Sequence, residues 1–193
     1  IRICLVGSEM CIRDRPFTVD ERMLEVRYVG KEGYHFGLRV RDWGGPGDAW
    51  LSSDFTITDA ADGTASFTEG TFVLGWSVMD YLRKYEVRFF GPYLDAQAGL
   101  GFVDVTLTPD EGRDIEGRGF TIPVQGDLGL VAYQRWKQAL GAGLFVQTGY
   151  RGLWQYSGST EPAEKPEDAP DAYLNFSRTD LWHGPYLNVG AVF

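Results

Sequence analysis

The sequence predicts an all-β fold, an eight-stranded antiparallel up-and-down transmembrane β-barrel. Two observations lead to it. Aromatic residues make up 15% of the 193 residues and glycine occurs 25 times, yet the mean hydropathy is only −0.22. This combination is typical of strands with one apolar face and one small or polar face. In addition, short runs of alternating apolar and polar residues follow one another along the chain, separated by turn-rich or charged stretches.

We predict eight strands from this alternation: 22–29, 34–43, 49–58, 70–81, 93–106, 120–134, 139–154 and 185–193. In YHFGLRVRDW (34–43), Tyr34, Phe36 and Leu38 share one face. His35, Arg39 and Arg41 share the other, because successive side chains of a strand point to opposite sides. The stretch 80–90 is compatible with a helical turn or with a strand extension.

The connections between these strands alternate in length when counted from the C-terminus. RWKQ is very short, whereas TPDEGRDIEGRG and SGSTEPAEKPEDAPD are long and polar. Short turns at one end and long loops at the other are typical of outer-membrane barrels. GKEG is short for an outer loop, and the join after the fourth strand is long for a periplasmic turn. The acidic, proline-rich stretch 161–173 is expected to be a solvated extracellular loop.

The bulk numbers exclude two classes of protein. A formal charge of −9 and a pI near 4.7 leave no basic stripe for nucleic-acid phosphates. No run approaches the roughly 18–20 apolar residues of a transmembrane helix. A membrane β-barrel stays open, because its strands need only about 10 alternating residues each.

Tryptophans concentrate near predicted strand ends. In a barrel such residues form aromatic girdles at the two membrane–water interfaces. The predicted girdle consists of Trp43, Trp50, Trp136, Trp154 and Trp182. The alternative is that they cap the core of a soluble protein.

The last strand carries a recognisable pattern. YLNVGAVF has apolar residues at every second position before a final phenylalanine: Leu187, Val189, Ala191 and Phe193. It resembles the C-terminal signal of small Gram-negative outer-membrane β-barrel proteins of the OmpA/OmpX type. That resemblance implies recognition by the barrel-assembly machinery and insertion into the bacterial outer membrane.

The opening IRICLVGSEMCIRDR resembles a peptide translated from sequencing-adapter DNA at the edge of a metagenomic contig. It lacks the continuous apolar stretch and small-residue cleavage site of a signal peptide. Its two cysteines, Cys4 and Cys11, do not have CxxC spacing. We therefore expect residues 1–15 to be a non-native leader, poorly packed against the barrel, and 16–193 to be a single barrel domain. If the leader replaces an upstream strand pair, the native barrel has ten strands.

The inward face of the predicted barrel is polar. The predicted lumen network consists of Arg39, Arg41, Asp95, Gln97, Asp127, Gln147, Arg151 and Asn188, and Glu25, Arg27 and His35 share that face. An eight-stranded barrel is narrow enough for side chains to fill it. We expect these charges to pair with one another and plug the lumen, since unpaired buried charges are costly. A narrow polar pore or ligand pocket is the alternative.

Catalytic motifs are absent from the sequence: it contains no GxSxG, no HExxH and no phosphate loop. His35 and His183 are the two histidines, and Asp180 precedes His183 by three residues. We predict no catalytic, metal or cofactor site and no enzyme activity. A hydrolase embedded in the membrane is the weaker alternative, with His183 as its candidate.

The sequence thus predicts an outer-membrane barrel with a structural or surface-interaction role. Its expected partners are outer-membrane lipid, lipopolysaccharide and the barrel-assembly machinery, and we expect a monomer. A soluble lipocalin-like ligand-binding barrel is the other alternative. It requires the apolar face of each strand to point inward.

Overall fold

Nine strands carry the alternating residues, and they form one antiparallel sheet. The computed structural model describes residues 2–8, 11–12, 20–46, 63–78, 88–109, 114–136, 142–160 and 177–192. Within these ranges the strands are β1 (Arg2–Ser8), β2 (Cys11–Ile12), β3 (Asp20–Val29), β4 (Tyr34–Pro46), β5 (Gly63–Ser77), β6 (Arg88–Pro109), β7 (Ile115–Arg135), β8 (Gly143–Ser159) and β9 (Ser177–Val192). A 3₁₀ turn, Lys31–Gly33, joins β3 to β4.

The seven long strands, β3 to β9, run up and down in chain order. Each pairs with its sequence neighbours, as for Tyr34 with Trp76 between β4 and β5 and Asp127 with Arg151 between β7 and β8. Consecutive antiparallel pairing of this kind needs only simple end-to-end connections. The all-β, antiparallel, up-and-down part of the prediction is confirmed.

The opening of the chain is part of the sheet. β1 pairs antiparallel with β3 on one side and with β9 on the other, with Leu5 opposite both Leu24 and Val189. The expectation that the opening would pack poorly is therefore wrong for the backbone of Arg2–Ser8. Hydrogen-bonded pairing depends on main-chain groups, which any extended segment can supply.

One predicted strand does not have the predicted place in the sheet. The sequence put 49–58 between the second and fourth predicted strands, but β4 pairs directly with β5 over its whole length. Residues 49–58 themselves lie outside the described residues. The chain also stays extended further than predicted, since β4 continues through Gly44 and Gly45 to Pro46, and β5 begins at Gly63 rather than at 70. The glycines of GGPGD (44–48) are typical of a turn, but Gly45 and Pro46 stay extended because they pair with Ala65 and Thr64 of β5.

The direct pairing of β4 with β5 changes which connections share an end of the sheet. The 3₁₀ turn lies at the same end as the connections 79–87 and 137–141. The connections 47–62, 110–113 and 161–176 start and finish at the opposite end. We call these the short-connection end and the long-connection end, although 79–87, with nine residues, is longer than 110–113, with four. The prediction of a long loop at TPDEGRDIEGRG is wrong, because β6 continues to Pro109 and β7 begins at Ile115. GKEG therefore belongs to the short-connection end, which removes its misfit. Gly33 has φ +84°, and a Cβ there would lie 2.0 Å from the Ser77 carbonyl oxygen.

The two faces of the sheet differ in chemistry over most of its height. Along β4, Tyr34, Phe36 and Leu38 are exposed, whereas His35 and Arg39 are buried. The predicted alternation is confirmed here and along β6, β7 and β9. Among the described residues, no helix is both long and apolar enough to cross a membrane.

Candidate functional site: the buried polar network

The structure buries all eight residues of the predicted lumen network on one face of the sheet. They are Arg39, Arg41, Asp95, Gln97, Asp127, Gln147, Arg151 and Asn188, and Glu25, Arg27 and His35 are buried with them. Each comes from a strand position whose neighbours in sequence are exposed, so the period-two pattern places them on a common face. The question for function is which of them contact one another.

Glu25 joins two arginines at the centre of the network. Its Oε2 accepts hydrogen bonds from Arg39 Nε at 3.0 Å and Nη2 at 2.8 Å, and its Oε1 accepts one from Arg27. Arg39 also donates from Nη1 to Gln125 Oε1 at 3.0 Å. Two cations around one carboxylate leave a positive excess, which a further acid must balance.

Asp95 supplies that balance from β6. Arg27 donates to its Oδ2, and Tyr93 donates to the same oxygen at 2.7 Å. His35 Nε2 lies 3.6 Å from its Oδ1. The histidine reaches it across β5 because Gly75 intervenes, and a Cβ at that glycine would lie 2.6 Å from His35 Nε2.

Asp127 and Arg151 form a separate, two-pronged ion pair. They are direct partners in the β7–β8 ladder. Arg151 donates from Nε to Oδ1 and from Nη2 to Oδ2, both at 2.9 Å. Gln125 donates to both carboxylate oxygens as well, at 3.1 Å. Parallel N–H···O bonds of this type are among the strongest that side chains make.

A further cluster lies toward the long-connection end. Arg41 donates from Nε to Glu69 Oε2 at 2.5 Å and from Nη2 to Gln155 Oε1. Glu69 also accepts from Gln155 Nε2 at 2.6 Å and from Thr121 Oγ1 at 3.1 Å. Glu69 was not predicted, because the predicted strand begins at residue 70 and the observed one at Gly63. Gln125 and Gln155 were not predicted either, although both share the parity of predicted lumen residues.

Gln147 and Asn188 complete the predicted set nearer the short-connection end. They are ladder partners, and Asn188 Nδ2 donates to Gln147 Oε1 at 3.5 Å. Gln97 accepts from Arg27 Nη2 at 3.0 Å. The network therefore spans strands β3 to β9.

Charges within these clusters balance. Four arginines contact four carboxylates: Arg27, Arg39, Arg41 and Arg151 with Glu25, Glu69, Asp95 and Asp127. Each guanidinium has a carboxylate partner, so the arrangement suits mutual neutralisation in a water-poor interior. Among the described residues no group of three or more His, Cys, Asp or Glu side chains could hold a metal ion.

Aromatic side chains lie beyond the network at both ends. Trp43 stacks on Phe67 with ring centroids 3.9 Å apart and meets Trp182 edge-on at 4.3 Å. The Arg41 guanidinium lies 5.4 Å from the Trp43 ring and 5.8 Å from the Trp182 ring, which is within cation–π range. At the short-connection end a cluster of four buried residues packs together: Tyr93, Val131, Tyr133 and Phe145.

These positions correct part of the predicted girdle. Trp43 and Trp182 are 3% and 0% exposed, so their prediction as outward-facing interface residues is wrong. Trp43 shares the inward parity of Arg41, and Trp182 that of Asn188. Trp136 and Trp154 are exposed, and Trp50 lies outside the described residues. Trp76, which was not predicted as a girdle residue, is exposed near the end of β5 and donates from Nε1 to the Glu32 carbonyl at 2.8 Å.

The opposite face of the sheet carries an apolar belt. We use this name for the following exposed residues: Leu24, Val26, Tyr28, Tyr34, Phe36, Leu38, Val40, Phe72, Leu74, Trp76, Phe90, Leu94, Leu100, Phe102, Ile122, Val124, Leu128, Leu130, Leu144, Val146, Tyr150, Trp154, Leu181, Leu187 and Val189. A continuous exposed apolar surface of this extent marks an interaction surface.

The belt has a sharp border toward the long-connection end. Its last row on the central strands contains Val40 and Phe102 with Gly70 between them, and the half-buried Phe120 lies beside Phe102. The next outward row is Asp42, Thr68, Asp104 and Arg118. Asp104 accepts from Arg118 Nε at 2.7 Å, and this hydrogen bond raises the pKa of the arginine.

Beyond that border the polarity of both faces reverses. We call this part the extension: residues 42–46, 63–68, 104–109 and 115–118. Its inner face is apolar, with Trp43, Phe67, Val105, Ala65 and Leu107 all buried. Its outer face is polar. A sheet with apolar inside and polar outside is what water requires.

The residues of the predicted C-terminal signal lie mainly on the belt side of β9. Leu187 and Val189 are exposed and Ala191 is half-buried, whereas Phe193 lies outside the described residues. The candidate hydrolase residues do not meet. Asp180 is buried and His183 is exposed on the opposite face, where its Nδ1 is hydrogen-bonded to the Tyr150 hydroxyl. A spacing of three along a strand always separates two side chains in this way.

Comparison with known proteins gives no relative: no protein-family model, curated protein or solved structure matches the chain.

Proposed function

We propose that this chain is an eight-stranded transmembrane β-barrel of the bacterial outer membrane, with a structural or surface-interaction role and a lumen filled by side chains. The observation that carries the proposal is the distribution of polarity. Large apolar side chains point outward while paired charges point inward, and beyond one border this arrangement reverses. A protein surrounded by lipid over part of its height and by water above it needs this distribution.

The pairing of β1 supports the eight-stranded part of the proposal. Seven antiparallel strands leave the first and last strands running in the same direction, so β3 and β9 alone would meet parallel. An eighth strand between them allows every pair to be antiparallel, as in bacterial outer-membrane barrels. Arg2–Ser8 pairs with both neighbours in that orientation.

The connections favour one orientation in the membrane. Outer-membrane barrels have short periplasmic turns and longer extracellular loops. The long-connection end, with the extension, would then face the outside of the cell, where lipopolysaccharide is the expected neighbour. Leu187 and Val189 fit the outward, alternating pattern of a terminal strand recognised by the barrel-assembly machinery.

The interior favours a plug over a pore or a ligand cavity. The charges are engaged with one another, and aromatic residues close both ends of the network. The soluble lipocalin-like alternative requires an apolar interior, whereas the buried face holds four arginines and four carboxylates between its two apolar ends. Asp180 and His183 lie on opposite faces, which weakens the hydrolase alternative.

A matched pair of substitutions on one face of β5 tests the proposal. Leu74 is 56% exposed in the belt, and Thr68 is exposed on the same face in the extension. We expect Leu74→Arg to cost about 2–4 kcal/mol of folding free energy in phospholipid vesicles, the cost of arginine near the bilayer midplane. Thr68→Arg should change it by less than about 1 kcal/mol, because that position is predicted to lie near or beyond the interface.

The measurement is urea-induced unfolding of the refolded chain in vesicles, with heat-dependent mobility on a denaturing gel as the check of folding. In a soluble protein, an exposed leucine replaced by arginine would change stability by about 0.5 kcal/mol or less. Equal, small effects of the two substitutions, or a chain that stays folded and monomeric without detergent, would overturn the barrel proposal.

A further inference from the structure

A groove lies at the short-connection end of the apolar belt, where β6, β7 and β8 adjoin. Its volume is about 360 Å³, within the range of small-molecule sites. Phe90, Ala132, Leu144 and Val146 line it from the outward face. The side chains that line the wall of the groove are therefore mostly apolar.

One cation stands at the edge of this groove. Arg88 is exposed and is the next outward position after Phe90 on β6. It donates from Nε to Gln134 Oε1 at 3.1 Å. Within the described part of the chain this is its one side-chain hydrogen bond, so the two terminal nitrogens of the guanidinium remain available to an anion.

The position of the groove at the border of the apolar belt indicates which kind of ligand it can bind. Arg88 pairs with Gln134, and Gln134 pairs with Leu144, so the groove straddles the row where the belt gives way to polar residues. Trp136 follows, exposed, at the end of β7. Arginine and tryptophan together at such a border are typical of the lipid headgroup level.

We propose that this groove binds one anionic glycerophospholipid, with an acyl chain along Phe90, Leu144 and Val146 and the headgroup phosphate on Arg88. The proposal rests on the proposed membrane location. It commits to a phospholipid rather than to lipopolysaccharide, because the groove lies at the short-connection end, on the periplasmic leaflet. Charge complementarity and a contiguous apolar wall argue for an amphiphile with a phosphate at one end.

The test uses the full chain refolded in detergent micelles, with lipid occupancy measured by native mass spectrometry. The probes are phosphatidylglycerol and phosphatidylcholine with identical acyl chains, and lipid A as a third. We expect Arg88→Gln to lower phosphatidylglycerol affinity about five-fold, the effect of one basic residue at an anionic surface. The loss of phosphatidylcholine affinity should be smaller, because the choline cation of that lipid offsets the charge of its phosphate. Ala132→Phe, which fills the groove, should weaken both phospholipids.

Arg22→Gln is the matched control, because Arg22 is an exposed arginine at the opposite border of the sheet. It should leave phosphatidylglycerol affinity unchanged. Equal losses in Arg22→Gln and Arg88→Gln would reduce the site to nonspecific charge attraction and overturn the proposal. Lipid A binding that depends on Arg88 as strongly as phosphatidylglycerol binding does would overturn the choice of phospholipid.

The heat-dependent mobility shift distinguishes a failure of the lipid-site proposal from a failure of the barrel proposal on which it rests. A chain that folds in micelles but shows no preference for phosphatidylglycerol overturns the groove alone. A chain that fails to fold in any detergent and folds in buffer overturns both.

Discussion

The belt and the extension are parts of the same strands, yet their two faces are reversed. On β5, Leu74 is exposed and Thr71 is buried, whereas a few residues earlier Thr68 is exposed and Phe67 is buried. The backbone geometry is the same on both sides of the border. What changes is which face carries the apolar side chains, as is expected of a sheet with lipid around the belt and water around the extension.

The comparison also separates two kinds of ion pair. Asp127–Arg151, in the belt part, is buried and two-pronged, whereas Asp104–Arg118, in the extension, has both side chains more than half exposed. In a buried pair, each charge stabilises a partner that water does not solvate. An exposed pair adds little, because water and salt screen it.

The largest expected effect comes from breaking the buried pair. Asp127→Asn leaves the Arg151 guanidinium without its carboxylate and should cost about 3–5 kcal/mol of unfolding free energy. Asp104→Asn should cost less than about 1 kcal/mol. Urea unfolding in vesicles measures both. Adding Arg151→Gln to Asp127→Asn should recover most of the loss, and failure of that rescue would show that the pair does not act as a unit.

A second substitution tests the apolar interior of the extension. Phe67→Ala removes the ring stacked on Trp43 and should cost about 3 kcal/mol, as in the core of a soluble protein. Thr68→Ala, next in sequence but exposed, should stay within about 0.5 kcal/mol. Because the extension is expected to lie in water, the cost of Phe67→Ala should not change with the acyl-chain length of the vesicles. A cost that follows bilayer thickness would place Phe67 within the membrane.

Sequence alone was sufficient for the faces of the strands. Once strand 34–43 is recognised, period-two alternation assigns His35, Arg39 and Arg41 to one side without further information. The same rule also applies to two pairs of residues whose predicted positions ignored it. Trp43 has the parity of Arg41, and Asp180 and His183 have opposite parity. Trp43 and Trp182 were assigned to the girdle because tryptophan is frequent at membrane interfaces, although their parity in the strands places them on the inward face.

Strand neighbours and partners could not be predicted in the same way. The pairing of β4 with β5 across residues 47–62 depends on long-range register, which local pattern does not encode. Arg27 contacts Asp95 from 68 positions away, and Arg41 contacts Gln155 from 114. These contacts follow from how strands assemble around a common interior, so the sequence predicted a polar network but not its individual pairs.

The smallest expected effect concerns two glycines of the belt part, Gly101 on the inward face of the sheet and Gly152 on the outward face. A Cβ at Gly101 would lie 2.0 Å from the Gly70 carbonyl oxygen, whereas one at Gly152 would have nothing within 4 Å. Gly101→Ala should therefore cost about 1–3 kcal/mol, since backbone must move. Gly152→Ala should be neutral or stabilise by about 0.5 kcal/mol, because alanine narrows the unfolded ensemble without strain. Comparable effects at the two sites would mean that inward glycines are not required for the close approach of neighbouring strands.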